Sequence, residues 1–251
     1  MKRILLTTVS LGVLGLLSPA FGADLPTYSK APSIAAPVYD WTGVYVGVFG
    51  GGGYGNHNVN DALGTNTPFA DYTANYSSTG GVAGGEVGYN WQSGNYLVGI
   101  EGDMFWSGIK GNDAAGVAAG SFAITSVDQD NLRWGGTLRV RTGFTIDRWL
   151  MFFTGGYAYG NIIHTNTDPV FGVDKFTVQA NGLTGGAGFA YAITNNVIGK
   201  FEYRYYNFNG YNRPGNPLTP NGQLPYTTET TYSVVTIGLD FKFGGPVVAK
   251  Y

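Results

Sequence analysis

Residues 96–106 read YLVGIEGDMFW, and their apolar and polar side chains alternate. The apolar face of this run carries large side chains: Tyr96, Val98, Ile100, Met104 and Trp106. The opposite face carries two carboxylates, Glu101 and Asp103. Successive side chains of a β-strand point to opposite faces of the sheet. The run therefore predicts a strand with one face in an apolar environment and the other in a polar one.

Other runs place their charged side chains on one face in the same way. Arg139 and Arg141 alternate with Leu138 and Val140. This alternation is the pattern of a transmembrane β-barrel, whose apolar side chains face the lipid and whose polar side chains face inward. A tilted membrane strand needs about 9–11 residues. Runs of this length or longer occur at 41–53, 81–92, 96–109, 132–145, 149–160, 176–192, 197–206 and 232–243.

The connections between these eight runs alternate in length. Those at 93–95, 146–148 and 193–196 are short, and those at 54–80, 110–131, 161–175 and 207–231 are long. Short turns at one end and long loops at the other are typical of bacterial outer-membrane barrels. The sequence therefore predicts an all-β fold, an eight-stranded antiparallel up-and-down transmembrane β-barrel, with both termini on the periplasmic side.

The composition agrees with a protein that is partly surrounded by lipid. Of the 251 residues, 12% are charged, 15% are aromatic, 41 are Gly and none is Cys. Typical soluble domains contain about 25% charged residues. The lack of Cys excludes a disulfide framework and a thiolate metal site. The formal net charge of −2 gives no electrostatic reason to expect nucleic-acid binding.

The first residues have the pattern of a secretory signal. Lys2 and Arg3 precede an apolar stretch, and small residues flank a cleavage site between Gly22 and Ala23. We therefore expect a signal peptide at 1–22 and a Pro-containing periplasmic lead-in at 23–40. The barrel is expected at 41–243, followed by a short tail at 244–251. No apolar run after residue 22 is long enough for a transmembrane helix.

Eleven charged side chains lie on the polar faces of the predicted strands and would point into the lumen. They are Glu86, Glu101, Asp103, Arg133, Arg139, Arg141, Lys200, Glu202, Arg204, Asp240 and Lys242. An eight-stranded barrel is just wide enough for side chains to fill its interior, and buried charges must pair. We expect an ion-pair network that plugs the lumen, with Arg139 and Arg141 bridging the carboxylates. A selective pore would favour a ring of one sign, whereas acidic and basic groups nearly balance here.

The last predicted strand carries Thr236, Gly238, Phe241 and Phe243 at a spacing that resembles the β-signal of outer-membrane proteins. Longer stretches of the chain also carry a family resemblance, among them ADLPTYSKAP, YDWTGVYVGVFGGGGYG, GGEVGYNWQSGNYLVGIEGDMFWSGIKG, RWGGTLRVRTGF and GLDFKFGGPVVAKY. Together they resemble the small outer-membrane porin-like family of alphaproteobacteria, immunogenic surface proteins with an OmpA-like barrel. The resemblance implies assembly by the barrel-assembly machinery. Relatives often carry LEYLYYDFG where this chain has FEYRYYNF, so Arg204 adds a charge and Asn207 lacks one.

From the resemblance and the charge pattern we expect a structural outer-membrane protein that supports envelope integrity and displays surface loops. Its partners would be outer-membrane lipid and lipopolysaccharide, with no cofactor and no metal, and a monomer is favoured. A porin-like channel for small solutes is the alternative. A lipid-modifying enzyme would need a nucleophile and a base at the membrane rim. His57 and His164 fall in predicted long loops, where we expect them to be solvated, so catalysis is not expected. Haem or another ligand bound by the loops is a further hypothesis.

Overall fold

The computed structural model describes residues 39–61, 72–114, 127–168, 172–212 and 227–244. The predicted signal peptide, with its cleavage site at Gly22 and Ala23, lies outside the described residues. So do residues 23–38 of the predicted lead-in and residues 245–251 of the tail.

Eight strands form one closed antiparallel barrel, as the alternating runs predict. They are β1 (Gly43–Asp61), β2 (Tyr72–Ser93), β3 (Tyr96–Ala114), β4 (Val127–Ile146), β5 (Trp149–Asp168), β6 (Gly172–Ala192), β7 (Val197–Asn212) and β8 (Thr227–Lys242). Each strand pairs with the next, and β8 closes the barrel against β1, with Tyr45 opposite Lys242. No helix in the described part of the chain is long and apolar enough to cross a membrane.

Three short turns join β2 to β3, β4 to β5 and β6 to β7 at one end of the barrel, which we call the short-turn end. Gly94 and Asp147 adopt left-handed backbone conformations there, with φ angles of 60° and 50°. Glycine does so without steric cost, and Asp tolerates this conformation. Both residues therefore suit the tight turns in which they lie. The opposite end, toward which β1 and β3 run, is called the loop end.

The strands extend further toward the loop end than the sequence predicted. β1 continues to Asp61 and β2 begins at Tyr72, where one long loop was expected from 54 to 80. The ladder continues through this region, with His57 opposite Tyr76. Gly and polar residues interrupt the hydrophobic alternation here, because strand segments beyond the lipid need no apolar outer face. Backbone pairing persists where the side-chain signal is lost.

A β-bulge in β4 changes which of its side chains face the lumen. Leu132 pairs with Ile162 of β5, but Trp134 pairs with Asn161, so Arg133 is an extra residue without an opposite partner. A bulge of this kind shifts the side-chain alternation by one residue. Arg133 is consequently exposed, whereas Arg139, further along the strand, is buried. The prediction that Arg133 belongs to the lumen is therefore wrong.

The outer surface of the barrel is apolar. Trp106 is 71% exposed and Ile237 69%, although both are large hydrophobic side chains. Large aromatic side chains also face outward near the short-turn end, and this set comprises Trp91, Tyr96, Phe144, Trp149, Phe241 and Phe243. Aromatic residues at this position are typical of the interfacial belts of membrane barrels. Charged, polar and buried apolar side chains turn inward and fill the lumen.

Candidate functional site in the barrel lumen

The side chains that fill the lumen form four layers along the barrel axis. One buried side chain from β1, or from the residues just before it, marks each layer. In order from the short-turn end these side chains are Trp41, which precedes β1, then Tyr45, Phe49 and His57. An apolar layer at the short-turn end contains Tyr39, Trp41, Leu97, Leu150, Phe152, Ala190, Ala192 and Ile198. A charged layer follows, and then a second apolar layer that includes Phe49, Phe105, Ile109, Leu132, Ile162, Phe208 and Val234. A polar layer occupies the loop end.

Arg139 occupies the centre of the charged layer, which we call the lumen network. Its Nη1 donates hydrogen bonds to Glu202 Oε1 at 2.5 Å and to Thr154 Oγ1 at 3.1 Å. Its Nη2 donates to Asp103 Oδ2 at 3.0 Å and also to Glu101 Oε1. One buried guanidinium on β4 therefore joins three carboxylates from two other strands, β3 and β7. Charge-assisted bonds of this kind are roughly twice as strong as neutral ones.

Arg204 and Lys200 of β7 connect the same carboxylates to Glu86. The Nη2 of Arg204 lies 2.8 Å from Glu202 Oε2, and its Nη1 lies 3.1 Å from Asp103 Oδ2. Lys200 Nζ forms an ion pair with Glu86 Oε1 and lies 3.5 Å from Glu101 Oε2. Each carboxylate named here is within 4 Å of at least one cation, so the burial of these charges is compensated by pairing.

Arg141 lies at the short-turn side of the lumen network. Its Nη1 donates to the hydroxyl oxygen of Tyr45 at 3.0 Å and lies 3.4 Å from Glu101 Oε2. The Tyr45 hydroxyl in turn donates to Glu101 Oε2 at 2.6 Å. The guanidinium carbon is 3.9 Å from the centre of the Phe152 ring, a favourable position over an aromatic face. Arg141 thus connects the charged layer to the apolar layer below it.

Nine of the eleven predicted lumen charges lie in this layer. Eight of them form the ion pairs just described: Glu86, Glu101, Asp103, Arg139, Arg141, Lys200, Glu202 and Arg204. The ninth, Asp240, is buried. The described network holds five carboxyl groups and four cations.

Lys242 does not join the lumen network, so this part of the prediction is wrong. Its ammonium group donates to the backbone carbonyl of Asp40 and lies 4.6 Å from the centre of the Tyr39 ring. The last inward position of β8 lies at the rim of the barrel, one layer away from the carboxylates. At the rim, the residues that precede β1 supply the partners of Lys242, which are a backbone oxygen and an aromatic face.

Residues 39–42 close the short-turn end by contacting each of the three turns, and we call them the N-terminal closure. The Trp41 backbone N–H donates to Gln92 Oε1 at 2.8 Å, and its indole N–H donates to the Asp147 carbonyl at 3.4 Å. The Tyr39 hydroxyl donates to the Asn195 carbonyl at 3.2 Å. Burial raises the pKa of Tyr39 to about 12. No side-chain pattern in the sequence marks this arrangement, because two of its three acceptors are backbone carbonyls.

A polar cluster at the loop end contains both histidines of the chain. His164 Nδ1 lies 2.7 Å from Asp130 Oδ1, and His57 Nδ1 lies 3.3 Å from Asp130 Oδ2. Tyr76 also donates a hydrogen bond to Asp130. Both histidines are 1% exposed, so the expectation of solvated loop residues is wrong. Extending the inward alternation of β1 and β5 past the predicted strand ends would have placed them in the lumen.

The same cluster reproduces the order of contacts in a Ser-His-Asp triad. Ser78 Oγ lies 2.9 Å from His57 Nε2, and the other ring nitrogen of His57 faces Asp130. Catalysis also needs space about 3 Å from the nucleophile for a reacting atom. Ser78 is only 2% exposed and packs beside Gly111 and Tyr232. We therefore interpret the cluster as structural. Within the described part of the chain, no group of three or more His, Asp or Glu side chains could hold a metal ion.

Comparison with known proteins places this barrel in a family. The model of the outer membrane protein beta-barrel domain matches residues 29–243. The chain belongs to this family. Among its relatives is the 31 kDa outer-membrane immunogenic protein of Brucella melitensis, 29% identical over 97% of this chain and 100% of the relative. The 25 kDa outer-membrane immunogenic protein of Brucella canis is 30% identical over 95% of this chain and 97% of the relative. A solved structure that matches this chain is OprG from Pseudomonas aeruginosa, with 11% identity, a TM-score of 0.44 and coverage of 83% of this chain and 100% of OprG.

Membership agrees with the lipid-facing outer surface described above. The chain is an outer-membrane β-barrel protein, similar to immunogenic outer-membrane proteins of alphaproteobacteria, as the sequence predicted. These relatives are named for their location and immunogenicity rather than for catalysis.

Proposed function

We propose that this protein is a closed structural barrel that contributes to the integrity of the outer membrane and does not conduct solutes. The observation that carries the proposal is the position of Arg139, which joins three buried carboxylates between two apolar layers. A pore for small solutes needs a continuous polar path. Here the lumen network is bounded toward the loop end by side chains such as Ile109 and Phe208, each 1% exposed or less.

We also infer that the long connections at the loop end are displayed outside the cell. The supporting argument is that three of the four loop-end connections, all except the one between β5 and β6, are much longer than the turns at the other end. Barrels of this class have short periplasmic turns and longer extracellular loops. Relatives are named immunogenic, which fits loops at the cell surface. In this orientation the N-terminal closure and the end of β8 face the periplasm.

A further part of the proposal concerns assembly. Phe241 and Phe243 face outward at the end of β8, with ring centres 5.2 Å apart, whereas Thr236 and Gly238 are buried. We expect the barrel-assembly machinery to recognise this strand, since β8 is also the strand that must close against β1. Outer-membrane lipid and lipopolysaccharide would surround the finished barrel.

A solute-permeation assay tests the proposed function. Refolded protein is placed in liposomes, and swelling in small sugars is measured. Empty liposomes and liposomes with a known open porin are the two references. We expect the swelling rate of the empty liposomes. Swelling near the porin rate would instead support the porin-like channel. A heat-modifiability gel confirms that the protein used is folded.

A further inference from the structure

Two pairs of aromatic side chains mark the lipid-facing part of β3 and β4. Tyr96 lies opposite Phe144 near the short-turn end, and Trp106 lies opposite Trp134 toward the loop end. Ten residues of β3 separate the first pair from the second. At about 3.3 Å per residue and a tilt of about 40°, they rise about 25 Å along the barrel axis. This is the height of the apolar band of outer-membrane barrels, so Trp106 and Trp134 lie at its boundary toward the loop end.

Two exposed cations lie just beyond this boundary. Arg133 directly precedes Trp134 on β4, and the bulge there makes both residues face outward. Lys110 of β3 is also exposed, and it lies opposite Asn131, two residues from Arg133. Side chains at such diagonal positions of a sheet are about 7–8 Å apart, which long side chains can span. The two cations can therefore reach the same ligand.

Neither cation is neutralised by the protein itself. Within the described part of the chain, no hydrogen bond or ion pair joins Arg133 or Lys110 to another residue. The connection between β3 and β4, residues 115–126, contains no charged residue, so it cannot supply a carboxylate. The cations of the lumen network, in contrast, are each paired with a carboxylate. The positive charge of the outward pair is therefore available to an anion from outside the chain.

The surroundings of the two cations fit the headgroup of an anionic lipid. Arginine binds phosphate oxygens in a planar, bidentate geometry, and lysine adds a flexible point charge. Trp106 and Trp134 lie on the membrane side of the cations, and Trp is typical of the boundary between lipid and water. A phosphate at the cations would place the acyl chains of its lipid along the apolar outer face of β3 and β4.

We propose that Arg133 and Lys110 bind one phosphate group of lipid A, the lipid anchor of lipopolysaccharide, with its acyl chains against Trp106 and Trp134. The proposal rests on the proposed orientation, in which the loop end faces the outside of the cell and thus the leaflet that holds lipopolysaccharide. It does not depend on whether the lumen conducts, so the swelling assay and the lipid test have separate outcomes.

Native mass spectrometry of the full refolded chain in detergent tests this proposal, with diphosphoryl lipid A as the probe. We expect the wild type to retain one lipid A. The double variant Lys110→Gln/Arg133→Gln should lower the retained fraction about fivefold or more. The matched control Arg148→Gln/Lys175→Gln removes the same charge at positions away from the pair, and it should retain lipid A like the wild type. Equal loss in both double variants, or no loss in the first, would overturn the proposal.

A conservative variant and a second lipid test the phosphate contact itself. Arg133→Lys keeps the charge and should retain most of the lipid A. Lipid A stripped of both phosphates should be retained about fivefold less by the wild type than diphosphoryl lipid A. Equal retention of the two lipids would refute the phosphate contact. A heat-modifiability gel verifies the fold of each variant.

The orientation has its own readout, because the chain contains no Cys. Thr177→Cys places a single thiol at an exposed position of β6 toward the loop end. A membrane-impermeant maleimide should label this thiol on intact cells. Labelling only after the outer membrane is permeabilised would reverse the orientation and overturn lipid A as the ligand. Surface labelling together with a failed lipid test would refute the lipid site and leave the orientation standing.

Discussion

Replacing Arg139 with Met tests how much the lumen network contributes to stability. Met matches the aliphatic stem of Arg but lacks the guanidinium, so it removes the hydrogen bonds to Glu101, Asp103 and Glu202. Removing one partner of a buried ion pair costs about 3–5 kcal/mol, because the remaining charges stay buried without compensation. The described network would retain five carboxyl groups and only three cations. We therefore expect the free energy of unfolding to fall by about 3–5 kcal/mol.

Urea unfolding in detergent micelles measures this loss, with Trp fluorescence and heat-modifiability gels as independent probes. For a urea dependence of about 2 kcal/mol per M, a loss of 4 kcal/mol lowers the midpoint by about 2 M. Arg133→Met is the matched control, since it changes the same residue type on the same strand at an exposed position. Exposed substitutions usually change stability by less than about 0.5 kcal/mol.

The reasoning would be refuted if Arg139→Met cost no more than Arg133→Met. A double variant adds a second criterion. Glu101→Gln removes one carboxylate that depends on Arg139, so the two changes together should cost less than the sum of each alone. Contacting residues in one network typically show coupling of about 0.5–3 kcal/mol. Strict additivity would show that the two side chains do not depend on each other.

Three further predictions concern other side chains that fill the lumen. Asp240→Asn should change the free energy of unfolding by less than about 1 kcal/mol, because carboxyl groups outnumber cations in the described network and each cation keeps another carboxylate partner. A loss of 3 kcal/mol in urea unfolding would contradict this. Asp130→Asn should lower the free energy of unfolding by about 1–3 kcal/mol, because the contacts of His57, His164 and Tyr76 with the Asp130 carboxylate are weakened. Trp41→Ala should lower the free energy of unfolding by about 3–5 kcal/mol, because it removes the largest buried side chain of the N-terminal closure. Backbone hydrogen exchange should rise at the three short turns. Unchanged exchange there would show that the N-terminal closure does not stabilise the turns.

The number of strands and the inward charges could be predicted because both follow from a two-residue period. Glu101 on β3, Arg139 on β4 and Glu202 on β7 occupy the inward positions that this period assigns to them. No comparable signal reveals which side chains pair, since pairing depends on strands that are distant in sequence. Tyr45 and Thr154 therefore appear in the lumen network only in the structure.

The errors have specific physical causes. Arg133 was misplaced because the bulge in β4 inserts one residue, and nothing in the charge pattern marks that position. Lys242 was misplaced because its acceptor is the backbone of Asp40. His57 and His164 were assigned to loops because the apolar alternation ends before the strands do. In each case backbone geometry, rather than side-chain chemistry, decided where the residue lies.

Single-channel recording in planar bilayers tests the central claim most directly, namely that the lumen is closed by side chains centred on Arg139. Refolded protein of verified heat-modifiability is inserted, and current is recorded over a range of voltages in 1 M salt. The closed, layered lumen predicts no steady conductance for the wild type. A steady open level in the wild type, recorded in most insertions, would contradict the account.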